Sequence, residues 1–124
     1  MDTDAVKAFC RTLPGAQETL VASPGNILQF TVDARPFAYF KTSPPEQWRF
    51  SLRVSPERFL ELTEQPGIKP ARYMHRFHWV TVVEVQRVPA DYLKELIGWS
   101  YHKAVSRLSK KRQAGLEARG IARP

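Results

Sequence analysis

QWRFSLRVSPE, Gln47 to Glu57, changes its period in mid-course. Through Val54 it alternates, with Trp48, Phe50, Leu52 and Val54 on one side and Gln47, Arg49, Ser51 and Arg53 on the other. A period of two is what a strand with one face on a core requires, because successive side chains point to opposite faces. The spacing predicts a strand whose second face is wet and basic. Ser55-Pro56-Glu57 then supplies an N-cap hydroxyl, a proline at the first helical position and an early carboxylate. These open a helix through Phe59, Leu60 and Leu62 that ends near Pro66-Gly67.

Upstream, Asn26–Val32 and Pro36–Thr42 are two more strand-like runs, separated by Asp33-Ala34-Arg35 and followed by Ser43-Pro44-Pro45-Glu46. Links this short imply an antiparallel meander. Before them, Thr3 or Asp4 caps a helix with Ala5, Val6, Ala8, Phe9, Cys10 and Leu13 at helical spacing, stopped by Pro14-Gly15. Downstream, Ile68–Arg72 reads as a loop, and YMHRFHW, Tyr73 to Trp79, leads into the β-branched run His78–Val85, a fourth strand. Pro89-Ala90-Asp91 begins the longest helix, striped by Leu93, Leu96, Ile97, Tyr101, Ala104, Val105 and Leu108. The fold class is α+β: one antiparallel sheet with helices packed at one face or end. A single domain is expected over residues 1–112, with 113–124 a basic C-terminal tail open to disorder. Trp48, Phe50 and Trp79 are expected in the core, and Trp99, off the helical stripe, is the ring expected to be most exposed.

With 124 residues, 43% hydrophobic and 25% charged, the chain suits one soluble globular domain. The single cysteine, Cys10, excludes an intramolecular disulfide and fits a reducing cytoplasm. The N-terminus is acidic, no apolar leader follows, and no run approaches the length needed to span a bilayer, so a cytoplasmic protein with no membrane partner is expected. The net charge of +7 is uneven. Residues 1–98 carry 12 Lys+Arg against 11 Asp+Glu, and residues 99–124 carry 7 against 1. Such polarity suits an anionic partner, although a solvated basic end carries the same composition.

Chemistry is hard to assemble from these residues. His75 and His78 share a face only in a helix, and Pro70 and the β-branched run argue against one there. His102 and Cys10 lie far off in sequence, so no metal site and no cofactor are expected. Gly-x-Ser-x-Gly, Gly-x-Gly-x-x-Gly, Gly-x-x-x-x-Gly-Lys and His-Glu-x-x-His are all missing, and Cys10 reads as a small buried hydrophobe. The expectation is a protein that is not an enzyme.

Nucleic-acid binding needs cations to displace counterions from phosphates, with groups that fix position. On the longest helix Trp99, Lys103, Arg107 and Lys110 recur at four, four and three residues, and Lys111 and Arg112 extend the charge. A solvated helix end complementing its dipole explains the same pattern. Arg49 and Arg53 form a second group on the predicted strand, and Lys69, Arg72 and Arg76 a third in the loop.

The chain resembles the MmcQ/YjbR family of small bacterial proteins. The resemblance is carried by Leu13-Pro14-Gly15, by SLRVSPER (Ser51–Arg58), by PARYMHRFHWVTV (Pro70–Val82) and by LKELIGWSYHKAVSRLSKK (Leu93–Lys111). It implies a twisted antiparallel sheet of about four to six strands, likened to frataxin-like and double-wing DNA-binding folds, and a DNA-binding role. Where members of the family usually have Tyr-His-Met-Asn-Lys-Lys-His-Trp, this chain keeps Met74, His78 and Trp79, retains a positive charge at Arg76, and exchanges a charge for the ring of Phe77. The resulting expectation is a non-catalytic, monomeric DNA-binding protein contacting phosphates through Arg49, Arg53, Arg72, Arg76, Lys103, Arg107, Lys110 and Lys111. The alternative is a protein-interaction or small-ligand-binding module of the same fold without a nucleic-acid role.

Overall fold

Short connections fold the chain as the alternation requires. The computed structural model describes residues 1–117. Its strands are β1 (Ala16–Val21), β2 (Ile27–Val32), β3 (Arg35–Lys41), β4 (Phe50–Arg53), β5 (Ile68–Pro70) and β6 (Trp79–Val82). They form one sheet in the order β1-β2-β3-β4-β6-β5 with every neighbouring pair antiparallel. The helices are α1 (Thr3–Thr12), α2 (Pro56–Thr63), α3 (Ala90–Val105) and α4 (Lys110–Glu117). The expected class, α+β with a single antiparallel sheet of four to six strands, is the one found.

Two rows of directly paired residues, each crossing all six strands, explain the two faces. Leu20, Leu28, Phe40, Phe50, Val82 and Ile68 form one row, apolar throughout. Thr19, Gln29, Tyr39, Ser51, Thr81 and Lys69 form the adjacent row on the other face, and every member is polar. The apolar face packs under α3, whose Leu93, Leu96, Ile97 and Tyr101 join Phe30, Phe40, Phe50 and Leu52 in one core. Burial of each such side chain stabilises the fold by about 1.5–3 kcal/mol. A bulge in β3 opposes Phe30 to Ala38 but Thr31 to Pro36, which leaves Phe37 unpaired. Phe37 is fully buried, and its ring meets Tyr101 edge-on at 5.3 Å.

Several boundaries differ from the sequence reading. β1 was not expected, because its exposed residues Gln17, Glu18, Thr19 and Leu20 show no core-facing alternation, as suits an edge strand. The expected loop Ile68–Arg72 contains β5, also an edge strand. α1 is capped by Asp2, whose Oδ1 accepts from the Ala5 N–H at 2.8 Å, ahead of the expected caps Thr3 and Asp4. Ser55 does cap α2, accepting from the Arg58 N–H. The fourth strand stops at Val82, after which Val85–Arg87 forms a 3-10 turn.

Trp48 is not in the core. The Lys41 carbonyl accepts from the Trp48 N–H while the Lys41 N–H donates to the Arg49 carbonyl, so one residue faces two. Trp48 takes a left-handed φ of 67°, β4 begins only at Phe50, and the alternation loses phase at the bulge. The indole is 37% exposed and lies instead under the Lys7 ammonium of α1, 3.5 Å from the ring centroid. Phe50 joins the core as expected, whereas Trp79, although only 4% exposed, lies on the opposite face of the sheet and outside the core cluster.

α3 does not run through to Lys111. It ends at Val105, a turn covers Ser106–Ser109, and α4 restarts at Lys110. The expected tail, 113–124, therefore begins as helix with Leu116 buried, and Arg112, the last residue of the expected domain, pairs with Asp33 at 2.7 Å. Residues 118–124 of that tail lie outside the described residues.

Candidate functional site

The second face of the sheet carries a broad cleft. Loops on either side of the polar row roof it into a concavity of about 650 Å³, floored by Gln29, Tyr39, Ser51, Trp79 and Thr81. Ser51 is 4% exposed, so the face expected to be wet is sheltered at its centre. The reason is local: Ala71–His78 does not continue as strand but folds as a turn with a 3-10 segment, His75–Phe77, held by Met74 N–H to Ala71 carbonyl and His78 N–H to His75 carbonyl bonds. This lays Arg72, Tyr73 and Met74 along the rim.

Within the floor, the Ser51 and Thr81 hydroxyls lie 2.8 Å apart and share a hydrogen bond. Burial pushes the Tyr39 phenol above its ordinary pKa, against a smaller opposing effect of the Ser51 hydroxyl. Tyr39 and Trp79 stack with centroids 5.6 Å apart. Lys41, Arg49 and Arg72 bring positive charge to the edge. Arg49 is partly neutralised by Glu46 at 3.4 Å, and the Lys41 ammonium donates to the Gly25 carbonyl at 3.2 Å.

Beside the cleft, sharing Pro36, Met74 and Trp79 with it, a smaller hollow gathers four cations: Arg35 of β3, Arg53 of β4, Lys103 of α3 and Arg107 just beyond it. Its lining contains no carboxylate, and among the described residues none of the four makes an ion pair. Burial first, and then the charge of Arg107, pull the Arg53 guanidinium below its ordinary pKa. Ser100 fixes this corner. Its Oγ accepts from the Arg53 N–H at 3.1 Å and donates to the Phe37 carbonyl at 2.6 Å, tying α3 to β3 and β4.

The expected basic residues are thus sorted. Arg53, Lys103 and Arg107 come together; Arg49 and Arg72 line the adjoining cleft. Arg76 is exposed with its guanidinium 4.9 Å from the centroid of the Phe77 ring, and Phe77 itself lines the hollow. Lys110 and Lys111 belong to α4 and touch neither cavity. Trp99 leaves the row because a helix drifts by about 40° in four residues. It lines a separate groove with Arg58, Glu95 and His102. Nor is it the most exposed ring: Tyr73 is 83% exposed and Trp99 38%.

Arg35 was missed because it sits in a turn sequence with no basic neighbour. Tyr39 and Gln29 were missed because only strand register brings them beside Ser51 and Thr81. His75 and His78 separate: His75 is exposed, whereas His78, left-handed at φ 65°, sets its ring edge-on to Phe59 at 5.5 Å. Among the described residues, no three His, Cys, Asp or Glu side chains are close enough to hold a metal ion, and no helix is long and apolar enough to cross a membrane.

A family model described as YjbR matches residues 11–103. The chain is 28% identical over 106 residues to the Escherichia coli K12 "Uncharacterized protein YjbR", an alignment covering 85% of this chain and 88% of that one. The crystal structure of the Deinococcus radiodurans protein DR2400, with its DUF419 domain, superposes with a TM-score of 0.79 at 31% identity, covering 94% of this chain and 88% of that one. A Pseudomonas syringae structural-genomics target has the same fold, with a TM-score of 0.66 at 19% identity over 84% of this chain and 99% of that one.

Proposed function

The chain belongs to the YjbR family, and we propose that this member binds DNA as a monomer and without catalysis. The observation that carries the reading is the hollow in which Arg35, Arg53, Lys103 and Arg107 converge without a carboxylate. Four like charges held together repel one another, and the successive phosphates of a DNA backbone laid across them relieve that repulsion. At Arg53 burial, and after it the charge of Arg107, act in the same direction against the charged form. Phosphate is a natural occupant, because guanidinium groups present paired donors to it. Sheet and helix contribute together in this reading: Arg53 comes from the sheet, Lys103 and Arg107 from the region of α3. Arg72 and Arg49 extend the positive surface along the adjoining cleft.

Neutralising four phosphates gives a slope of about −3.6 for log affinity against log salt on duplex DNA. The double charge reversal Lys103→Glu/Arg107→Glu removes two contacts, and the slope is expected to fall to about −1.8. Reversing Lys110 and Lys111, which touch neither cavity, is expected to leave the slope nearly unchanged. Absence of duplex binding at low salt, or an unaltered slope in the Lys103/Arg107 variant, overturns the reading.

A further inference from the structure

The cleft beside the cationic hollow has a composition that phosphate contacts alone do not call for. Its volume, about 650 Å³, lies within the range of small-molecule sites. Its floor is a line of hydrogen-bonding groups, Gln29, Tyr39, Ser51 and Thr81, paired directly across β2, β3, β4 and β6. A hydroxyl offers one donor and two acceptor sites, so the bond joining Ser51 and Thr81 leaves acceptor capacity along the row, and the Tyr39 hydroxyl and Gln29 amide add donors and acceptors. A sheet face needed only for solubility is served by long charged side chains; short hydroxyls recessed under a roof are suited to a ligand's polar edge.

Around this floor stand flat apolar surfaces and cations. Tyr39 and Trp79 form a stacked pair lining the cleft. Tyr73 stands at the rim, highly exposed, with φ at 67°. The left-handed region is strained for a bulky residue, and the Tyr73 ring gains no compensating burial. Arg72 lies beside Tyr73, 5.8 Å from the ring centroid, with no ion-pair partner among the described residues. Aromatic faces, a polar edge and a cationic rim together match a planar heterocycle that carries an anionic group.

We infer that the cleft on the second face of the sheet holds one nucleotide, its ring against Tyr39, Trp79 and Tyr73, its ring edge on the Gln29–Ser51–Thr81 row and its phosphate at Arg72 and Arg49. This deepens the DNA-binding reading and rests on it for the biological source of the nucleotide, which is either an unpaired residue of a strand or a free mononucleotide. The two sources share this chemistry, and a competition experiment separates them.

The probes are AMP and TMP, with ribose 5-phosphate as the ringless control and an oligothymidylate as the strand, titrated by calorimetry into the full chain. Mononucleotide is expected to bind at least about tenfold tighter than ribose 5-phosphate, since stacking of one base contributes about 1–3 kcal/mol. Tyr73→Ala, which removes an exposed ring and leaves the core untouched, is expected to weaken mononucleotide about tenfold, the effect of about 1.4 kcal/mol. The double variant Arg49→Ala/Arg72→Ala is expected to bring mononucleotide down to the affinity of the corresponding nucleoside. Competition between mononucleotide and oligothymidylate assigns the site to an unpaired base of a strand; binding without competition assigns it to free nucleotide. If ribose 5-phosphate binds as tightly as AMP and TMP, or neither nucleotide saturates the protein at about 10 mM, the inference is overturned. Duplex binding that keeps its salt slope under that outcome leaves the DNA reading standing, whereas loss of duplex binding with nucleotide retained overturns the DNA reading alone.

Discussion

Replacing Ser100 with alanine isolates the join that places the cationic corner. Beyond the Ala38–Leu52 pair, β3 and β4 no longer pair directly, and the Ser100 hydroxyl bonds both the Phe37 carbonyl, at 2.6 Å, and the Arg53 N–H, at 3.1 Å. The side chain lies in a site 2% exposed, where water does not replace it. Ser100→Ala thus leaves a part-buried donor and a buried acceptor unpaired, each costing about 1–3 kcal/mol and the donor at the lower end. The gain in helix propensity returns about 0.5 kcal/mol, and relaxation of α3 recovers part of the remainder. A net loss of about 2–3 kcal/mol is expected, which for a chain of this length lowers Tm by roughly 8–15 °C. Urea titration provides the equilibrium measurement: the midpoint should fall with an unchanged m-value. Because Arg53 loses its anchor, duplex DNA affinity measured well below the variant's melting range should weaken as well. A Ser100→Ala protein within about 0.5 kcal/mol of wild type, the range of an ordinary surface substitution, refutes the claim that this hydroxyl joins helix to sheet.

Two further expectations test the packing. Cys10 is fully buried, and desolvation, only partly opposed by Arg11, pushes its thiol up to about 12 from an ordinary value of 9.0. Between those two values the unfolded chain has lost the proton that the folded chain keeps, so stability falls as pH rises, by at most about 1.4 kcal/mol per pH unit. Urea midpoints measured through that window should decline more steeply for wild type than for Cys10→Ala, and parallel declines count against a buried neutral thiol. Lys7 lies 3.5 Å from the Trp48 ring centroid with its side chain 12% exposed, so Lys7→Gln is expected to cost about 0.5–2 kcal/mol. Its indole emission should shift to the red, and an unchanged spectrum and urea midpoint would remove that contact from the fold.

The local sequence determined the elements whose residues carry their own periodicity or punctuation. Leu93, Leu96, Ile97 and Tyr101 repeat with the helix and are buried in α3; Phe50, Leu52 and Val54 alternate and are buried along and just beyond β4; Ser55-Pro56 opens α2 as the capping rules require. Edge strands escaped this reading, because β1 and β5 bury too little to be patterned. Trp48 escaped it because a bulge inserts a residue and reverses the phase. The candidate site was legible only as a scatter of cations. Arg53 and Arg107 are distant in sequence, and it is α3 lying across β3 and β4, joined through Ser100, that brings them to one hollow with Arg35. Likewise Gln29, Tyr39, Ser51 and Thr81 are ordinary outward-facing strand residues until antiparallel register sets them in a line. Periodicity is a property of a segment and can be read from it, whereas convergence depends on strand order and register, which the tertiary packing decides.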